Sequence, residues 1–492
     1  MSTPASTAEF LPNALWHQRL FTGSWQPGNA ASSAVVEPAT GNALGEIANA
    51  DAAQIASSAQ QAADAQRGWY QLPYDERSAL FRKAAQLAES HFDSIVGWLV
   101  RESGSTQAKA AFETNITIKA LHESAALPSR SQGEVLPSSA GRLSLARRRP
   151  LGVIGVISPF NFPLYLAMRA VAPALATGNA VVLKPDPRTA VCGGLVIARL
   201  FELAGLPKGV LHVLPGGADA GAALTSDRNI AMIQFTGSTG AGRKVGEAAG
   251  KHLKKVSLEL GGKNSLIVLD DADLDLALAN ATWGVYLHQG QICMSTGRLL
   301  VQRGIYDRFL EKLVAKADSL TVGDPASSQV HLGPLINAAQ RDHAAKVVKA
   351  AVDAGASLDA GGTYEGLFFK PTVLSGVTRD NPAFHEEIFG PVAVVIPFDT
   401  DAQAIELAND TDYGLSAAVL SQNVSRALKL GEQLRVGLLH INDQTVNDEV
   451  INPFGGVGAS GNGTSIGGPA NWEEFTQWQW LTVKGDAPAY PL

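Results

Sequence analysis

The chain is 492 residues long, with 39 Lys and Arg against 46 Asp and Glu, a formal net charge of −7, and 46% hydrophobic against 17% charged residues. A length of this order exceeds what one hydrophobic core serves, so a globular protein of two or three subdomains is expected. The mildly acidic balance argues against nucleic acid as a partner, because the single basic run, Arg147-Arg148-Arg149, is too short to hold a polyanion and reads as solvated surface or a subunit contact.

The start, Met1-Ser2-Thr3-Pro4-Ala5-Ser6, lacks the basic and apolar segments of a secretory leader. No apolar run approaches the roughly 18 residues that would cross a bilayer, so no membrane partner is expected. The two cysteines, Cys192 in an apolar helical stretch and Cys293, fit a reducing compartment, and the location expected is cytoplasmic.

Up to about residue 125 the chain reads as an extended segment followed by helices. Asp51 caps an alanine-rich helix, and Pro73-Tyr74-Asp75-Glu76-Arg77 opens another with Leu80, Ala84 and Leu87 on one face. From Gly152 the pattern changes to short apolar, often β-branched runs at 153–157, 180–183, 210–214 and 230–235, separated by amphipathic stretches of helical length. That alternation predicts a doubly wound parallel sheet covered on both faces, over about 150–255. The last of these runs ends in Phe235-Thr236-Gly237-Ser238-Thr239-Gly240-Ala241-Gly242 and leads into a helical segment. A strand, a glycine turn and a helix N-terminus can hold a phosphate, although packing alone also produces such turns.

At 256–260 apolar and polar residues alternate, which puts Glu259 on the polar side of a strand that runs into Gly261-Gly262. Such a carboxylate either reaches into a cleft or faces solvent on an edge strand. A second α/β pattern runs from about 260 to 440, with apolar runs at 265–269, 299–301 and 392–396. It carries Cys293, which Gly290 and Gly297 bracket and Ser295, Thr296 and Arg298 follow. An accessible thiol in a bendable segment has the character of a nucleophile, and a small buried core residue is the plain alternative. Further on, Pro453-Phe454-Gly455-Gly456-Val457-Gly458 and Ser460-Gly461-Asn462-Gly463 form a glycine-rich loop region, and 478–483 reads as a strand able to pair with another subunit.

Taken in order, these segments resemble the aldehyde dehydrogenase superfamily over nearly the whole chain. Pro159-Phe160-Asn161-Phe162-Pro163 is similar to that family's Pro-Trp-Asn-Phe-Pro segment, with Phe160 in place of tryptophan. Phe235-Thr236-Gly237-Ser238-Thr239 resembles its coenzyme loop, and Glu259-Leu260-Gly261-Gly262-Lys263 the segment bearing its general base. Gly290-Gln291-Ile292-Cys293 resembles the nucleophile segment, and Glu386-Glu387-Ile388-Phe389-Gly390-Pro391 and Pro453-Phe454-Gly455-Gly456 complete the set.

The resemblance implies an α/β fold of two doubly wound domains, coenzyme-binding and catalytic, with a small β oligomerisation extension. The implied boundaries are 1–127 and 148–257 for the coenzyme domain, 258–440 for the catalytic domain, 128–147 and 470–492 for the oligomerisation strands, and 441–469 for a loop region returning to the active site. A homodimer or homotetramer is the implied assembly. Cys293 is the implied nucleophile toward an aldehyde, Asn161 an oxyanion donor and Glu259 the base that activates water. NAD or NADP is the implied coenzyme, against Ile157, Ser158, Pro159, Phe160, Lys184, Gly237, Ser238, Gly240, Gly242, Glu387 and Phe389, and no metal is implied.

Two departures from the family pattern bear on this. Pro187 stands where NAD-preferring members carry a glutamate, which leaves the choice between NAD and NADP open and gives Arg188 a possible pull on a 2′-phosphate. Thr464 and Ser465 stand where many relatives place an arginine and a glutamate. Lys184-Pro185-Asp186-Pro187-Arg188 and Arg169 resemble most the benzaldehyde dehydrogenase branch. An aromatic aldehyde is then the implied substrate, in a pocket of Phe162, Tyr165, Leu166, Ile292 and Phe454. The rival readings are an enzyme that acylates coenzyme A, a silent structural protein on the same fold, and a cysteine hydrolase using His288.

Overall fold

The computed structural model describes residues 10–491. The segment read above for a leader, Met1 to Ser6, lies outside the described residues. Five of the apolar runs lie side by side as a parallel sheet in the order Lys255–Glu259, Ile230–Thr236, Val153–Ile157, Ala180–Lys184, Leu211–Val213. An antiparallel hairpin, Arg19–Phe21 and Trp25–Pro27, extends it beyond Leu211–Val213. Every residue of Val153–Ile157 and Ala180–Lys184 is buried, as a sheet covered on both faces requires.

Alternate side chains serve the two faces. Ile154, Val156, Val181 and Leu183 share a core with the helices Pro163–Ala176 and Val196–Ala204. Val153, Ile157 and Val182 share another with Ala52–Gln71 and Ala218–Ser226. The chain leaves Val153–Ile157 toward one edge and returns to place Ile230–Thr236 on its other side. The crevice beyond the carboxyl ends of those two strands is therefore a topological switch point, where doubly wound sheets take their ligands.

The second sheet is built in the same way around Asn264–Val268, flanked in parallel by Thr296–Gln302 and Ser416–Leu420. Val392–Phe398 and Thr372–Ser375 continue it on one side and Leu438–Ile441 on the other, with Ser357–Ala360 as an antiparallel edge. Arg298, fully buried in this sheet, donates to the carbonyls of Lys263, Leu407, Ala408 and Asp410 and so ties the start of Asn264–Val268 to the C-terminal end of the helix Asp401–Asn409. A third, smaller antiparallel sheet joins Thr476–Lys484, Arg142–Pro150 and Gly133–Val135.

Several local expectations are met in detail and others shift. Asp51 accepts from the Gln54 amide at 2.7 Å and caps Ala52–Gln71. The helix at Pro73 runs from Tyr74 to Ser90, but its buried stripe is Arg77, Phe81, Ala84 and Ala88, with Leu80 and Leu87 only half-buried beside it. Gly297 lies inside the strand Thr296–Gln302 rather than at a bend. The strand Arg142–Pro150 runs through position 147, where the sequence reading divides one unit from the next.

The basic run is spread along that strand. Arg147 donates to Gln479 at 2.8 Å, Arg148 pairs with Glu473 and lies over the Trp478 ring, and Arg149 lies over Tyr70. Among the described residues no helix is long and apolar enough to cross a membrane.

Candidate active site

A cavity of about 540 Å³ occupies the switch-point crevice. Its walls come from the strand ends the topology brings there: Ile157, Ser158, Pro159, Phe160 and Asn161 after one strand, and Gly237 and Ser238 after its neighbour. Lys184, Asp186, Arg188, Glu259, Cys293, Gln340, Glu387 and Phe389 also line it. Gly240 and Gly242 are not on this wall. Both lie in the following helix, Thr239–Lys251, and Gly242 faces Leu260 instead.

A second, narrower cleft holds Phe162, Tyr165, Leu166, Ile292 and Phe454. Asn161 and Cys293 belong to both walls and stand where the two spaces meet.

Each of these side chains is held by identifiable contacts. The chain reaches Cys293 through a tight turn in which His288 (φ 48°) and Gln289 (φ 57°) are left-handed, and the Gln289 amide donates to the carbonyls of Gly104 and Pro334. Gly290 (φ 69°) follows, and any Cβ there would lie 2.2 Å from the Gly390 carbonyl oxygen. The Cys293 carbonyl accepts from Asn264 Nδ2 at 2.8 Å. His288 packs edge-on against Phe162, and neither of its ring nitrogens has a hydrogen-bond partner, so it forms no dyad with the thiol.

Asn161 is fixed through its backbone: Lys109 Nζ donates to its carbonyl oxygen at 2.7 Å. Lys109 pairs with Glu113, both fully buried, and Glu113 Oε1 accepts the amides of Leu164 (2.9 Å) and Tyr165 (3.1 Å) at the start of Pro163–Ala176. The Asn161 side-chain oxygen is buried with no partner in the protein, an unmet acceptor where the two spaces meet.

Glu259 shows how distant residues decide a local question. Lys255–Glu259 is an edge strand, yet Glu259 is only 3% exposed. The loop at Ser460-Gly461-Asn462 covers it: Leu260 N–H donates to the Ser460 carbonyl at 2.9 Å, Leu258 N–H to Asn462 Oδ1 at 3.1 Å, and Gly461 bridges to Glu259 itself. A Cβ on Gly461 would lie 2.8 Å from the Leu258 carbonyl oxygen, so only glycine closes this seam. Beside it the Thr464 hydroxyl bonds Ser257 and Asn462.

The family model described as "Aldehyde dehydrogenase family" matches residues 25–481. The chain belongs to the aldehyde dehydrogenase family. It is 54% identical to a vanillin dehydrogenase of Amycolatopsis sp. over 98% of this chain and 100% of that one. It is 47% identical to a benzaldehyde dehydrogenase [NAD(+)] of Pseudomonas putida over 97% and 98%. Among solved structures, a betaine aldehyde dehydrogenase of Staphylococcus aureus in complex with NAD+ superposes with a TM-score of 0.93 at 27% identity, covering 97% of this chain and 96% of that one. An E. coli NADP dependent enzyme superposes with a TM-score of 0.92 at 34% identity, covering 96% and 99%.

The large cavity of this aldehyde dehydrogenase fits a dinucleotide by its donors. Ser238, on the cavity wall, caps the helix Thr239–Lys251, and Ser158 Oγ on the same wall is buried without a partner. At the far end Glu387 accepts from the Gly262 amide at 2.9 Å, and Phe389, left-handed at φ 53°, is held by Gln340 donating to its carbonyl at 3.0 Å. The Phe389 ring packs edge-on to Phe160, which the Arg188 guanidinium covers at 4.1 Å.

Arg188 is not a free cation. Asp186 takes it in a two-pronged bond of 2.8 and 2.6 Å, so a carboxylate sits within two residues of the family's usual position. The sequence reading missed Asp186, Lys109, Glu113, Gln340 and Asp448. Lys109 and Glu113 look like an exposed i,i+4 pair, and only the alanines around Lys109 hint that its surroundings are apolar.

The site is electrically adverse to a thiolate. Burial pushes the Cys293 thiol up to about 12, and the negative fields of Glu387, Glu259 and Asp448 add to it. Burial also lifts Glu387 to about 7 and Glu259 well above its usual range, the latter opposed by Arg169. An anion beside a thiol raises its pKa, so removing that anion lowers it. Iodoacetamide labelling of Cys293 without coenzyme is therefore expected to climb steadily from pH 7 to 10, and Glu387→Gln to accelerate it several-fold at pH 8, read by mass spectrometry against buried Cys192. A plateau below pH 9 in the parent protein would contradict the assignment.

Proposed function

We propose that this enzyme oxidises an aromatic aldehyde to the carboxylic acid with a nicotinamide coenzyme. The observation that carries it is the meeting of a dinucleotide-sized cavity and an apolar cleft at Cys293 and Asn161. The vanillin and benzaldehyde dehydrogenase relatives support the aromatic substrate.

In this reading the Cys293 sulfur adds to the carbonyl carbon of an aldehyde lying in the cleft. The carbonyl oxygen becomes negative, and the Asn161 amide with the Cys293 N–H stabilises it, a contact class worth about 2.7–4 kcal/mol. Bound in the large cavity, against Ile157, Lys184, Ser238, Glu387 and Phe389, the coenzyme supplies the acceptor for the hydride that the substrate carbon gives up. The acyl group is then held on Cys293 as a thioester. Glu259, raised by burial and with both carboxylate oxygens free of protein partners, takes the proton from the water that cleaves it. Acylation of coenzyme A would not need that base, so Glu259 favours hydrolysis. Thr464 and Ser465 offer no carboxylate or guanidinium to relay the proton.

We assign NAD as the preferred coenzyme, because Asp186 presents a carboxylate that accepts from ribose hydroxyls, repels a 2′-phosphate and occupies Arg188. The assembly is a homodimer or homotetramer through the small sheet, where Trp478, Trp480 and Val483 are exposed at 53%, 68% and 48%. We infer a cytoplasmic location, which the two free cysteines support because they fit a reducing compartment.

Following absorbance at 340 nm with benzaldehyde, a hydroxylated benzaldehyde and a short aliphatic aldehyde tests the reaction, with and without coenzyme A. A rise with none of them rejects it, and a rise only with coenzyme A selects the acylating rival. Cys293→Ala should abolish turnover, whereas Glu259→Gln should keep a first burst of reduced coenzyme and slow the steady rate by about 10²-fold or more. Equal loss of both phases removes Glu259 from deacylation. Asp186→Asn should raise kcat/KM with NADP relative to NAD at least tenfold, and an unchanged ratio refutes that assignment. Trp480→Asp should lower the mass seen by light scattering, and an unchanged mass moves the interface elsewhere.

A further inference from the structure

Asp448, from the loop that returns toward the site, meets Tyr165 and Arg169 of the helix Pro163–Ala176 at the apolar cleft. Its Oδ2 accepts from the Tyr165 hydroxyl at 3.0 Å and pairs with Arg169 Nη1. Arg169 also donates to the Ile466 carbonyl at 3.1 Å and lies over the Phe454 ring at 4.4 Å. The Asp448 side chain is 9% exposed and that of Arg169 4%.

Two facts about position separate this group from a packing device. Among the described residues that line the cleft, Asp448 is the only one with a charged side chain. It also lines a wider outer space of about 750 Å³, so it stands at the neck between solvent and the way to Cys293. A buried ion pair is weak support for a fold, and an apolar substitute of similar volume would often serve stability as well.

We propose that Asp448 is a specificity-determining residue, accepting a hydrogen bond from a hydroxyl on the ring of an aldehyde whose carbonyl lies at Cys293. This rests on the aromatic aldehyde reading given above. The Tyr165 hydroxyl and Arg169 Nη1 both bond Oδ2, and the only further contact of the carboxylate is the Glu449 backbone N–H, so lone pairs remain on Asp448 for a donor at the neck, while the unpartnered Arg169 Nε is buried away from the residues that line the cleft. It favours a ring substituent carrying a proton and disfavours an ether, which brings only lone pairs. Sites built to bond a substrate hydroxyl discriminate strongly against analogues that lack it.

The test pairs 3- and 4-hydroxybenzaldehyde with their methoxy counterparts, with benzaldehyde alongside, at a pH that keeps the phenols protonated. The readout is the ratio of kcat/KM within each hydroxy and methoxy pair, taken on one variant at a time so that any general loss cancels. The parent enzyme should favour at least one hydroxylated member by about tenfold or more. Asp448→Asn should reduce that ratio, and Asp448→Leu combined with Arg169→Leu, which removes both charges together, should bring it near one. Thermal unfolding of both variants checks that they fold, and the double variant answers the question if Asp448→Asn does not. A ratio unchanged by these substitutions, or near one in the parent while benzaldehyde is oxidised, overturns the role of Asp448 and leaves the aldehyde reading standing. Failure of every aldehyde to reduce coenzyme overturns the reading itself.

Discussion

The seam between the loop at Ser460-Gly461-Asn462 and the edge strand Lys255–Glu259 is the constraint on which the site depends. Without it the strand would present unpaired amides and an exposed glutamate to solvent. With it, Glu259 is enclosed, and the chain crosses from the first sheet to the second through Leu260-Gly261-Gly262. Everything chemical is referenced to that crossing. The Gly262 amide holds Glu387, and Asn264 bonds the carbonyls of Cys293 and Ser295 and accepts from Ser416 in the next strand. One segment thus sets the separation between a carboxylate from the first sheet and a thiol from the second.

The charges around that crossing are arranged to keep the thiol quiet. Burial and neighbouring carboxylates both favour its protonated form, and burial likewise favours protonated Glu387 and Glu259. A positive charge entering the cavity would oppose each of these shifts, because it stabilises every one of those groups as an anion, while the burial that is their largest cause stays in place. The ionisation of Cys293 would in that way respond to the charge of whatever enters the neighbouring space.

How much was legible in the sequence follows from where the cause of each feature lies. The strands at 153–157 and 180–184 were readable because burial on both faces imposes a continuous apolar run, a local signature. The position of Cys293 and the glycine turn at Gly237 were also local. Glu259 was ambiguous from its own neighbourhood, since the residues that bury it lie some two hundred positions away and bond it mainly through backbone. Gly240 and Gly242 lie off the crevice wall, which a glycine turn does not reveal because its sequence does not say which members face the crevice. Arg169 left a clue, being the only charge in a helix of fourteen otherwise uncharged residues, but nothing near Asp448 marks it as the partner.

Buried polar groups of three kinds sit within this one region, and their energetics differ. Lys109 and Glu113 are paired with each other and spend their remaining bonds on the backbone around Asn161, so they act as scaffold and need no ligand to be satisfied. Arg169 and Asp448 are paired, but Asp448 lines the cleft and Arg169 Nε is buried without a partner, so the pair is satisfied only in part. The Glu259 carboxylate and the Asn161 side-chain oxygen have no protein partner at all, a state that costs on the order of 1–3 kcal/mol per group. That gradation runs from the helix at Lys109 inward to the thiol, and it orders the groups by how directly they await something from outside the chain. The two large cores on either side of the first sheet supply the burial that tolerates such a deficit, and the deficit is concentrated where the two cavities meet.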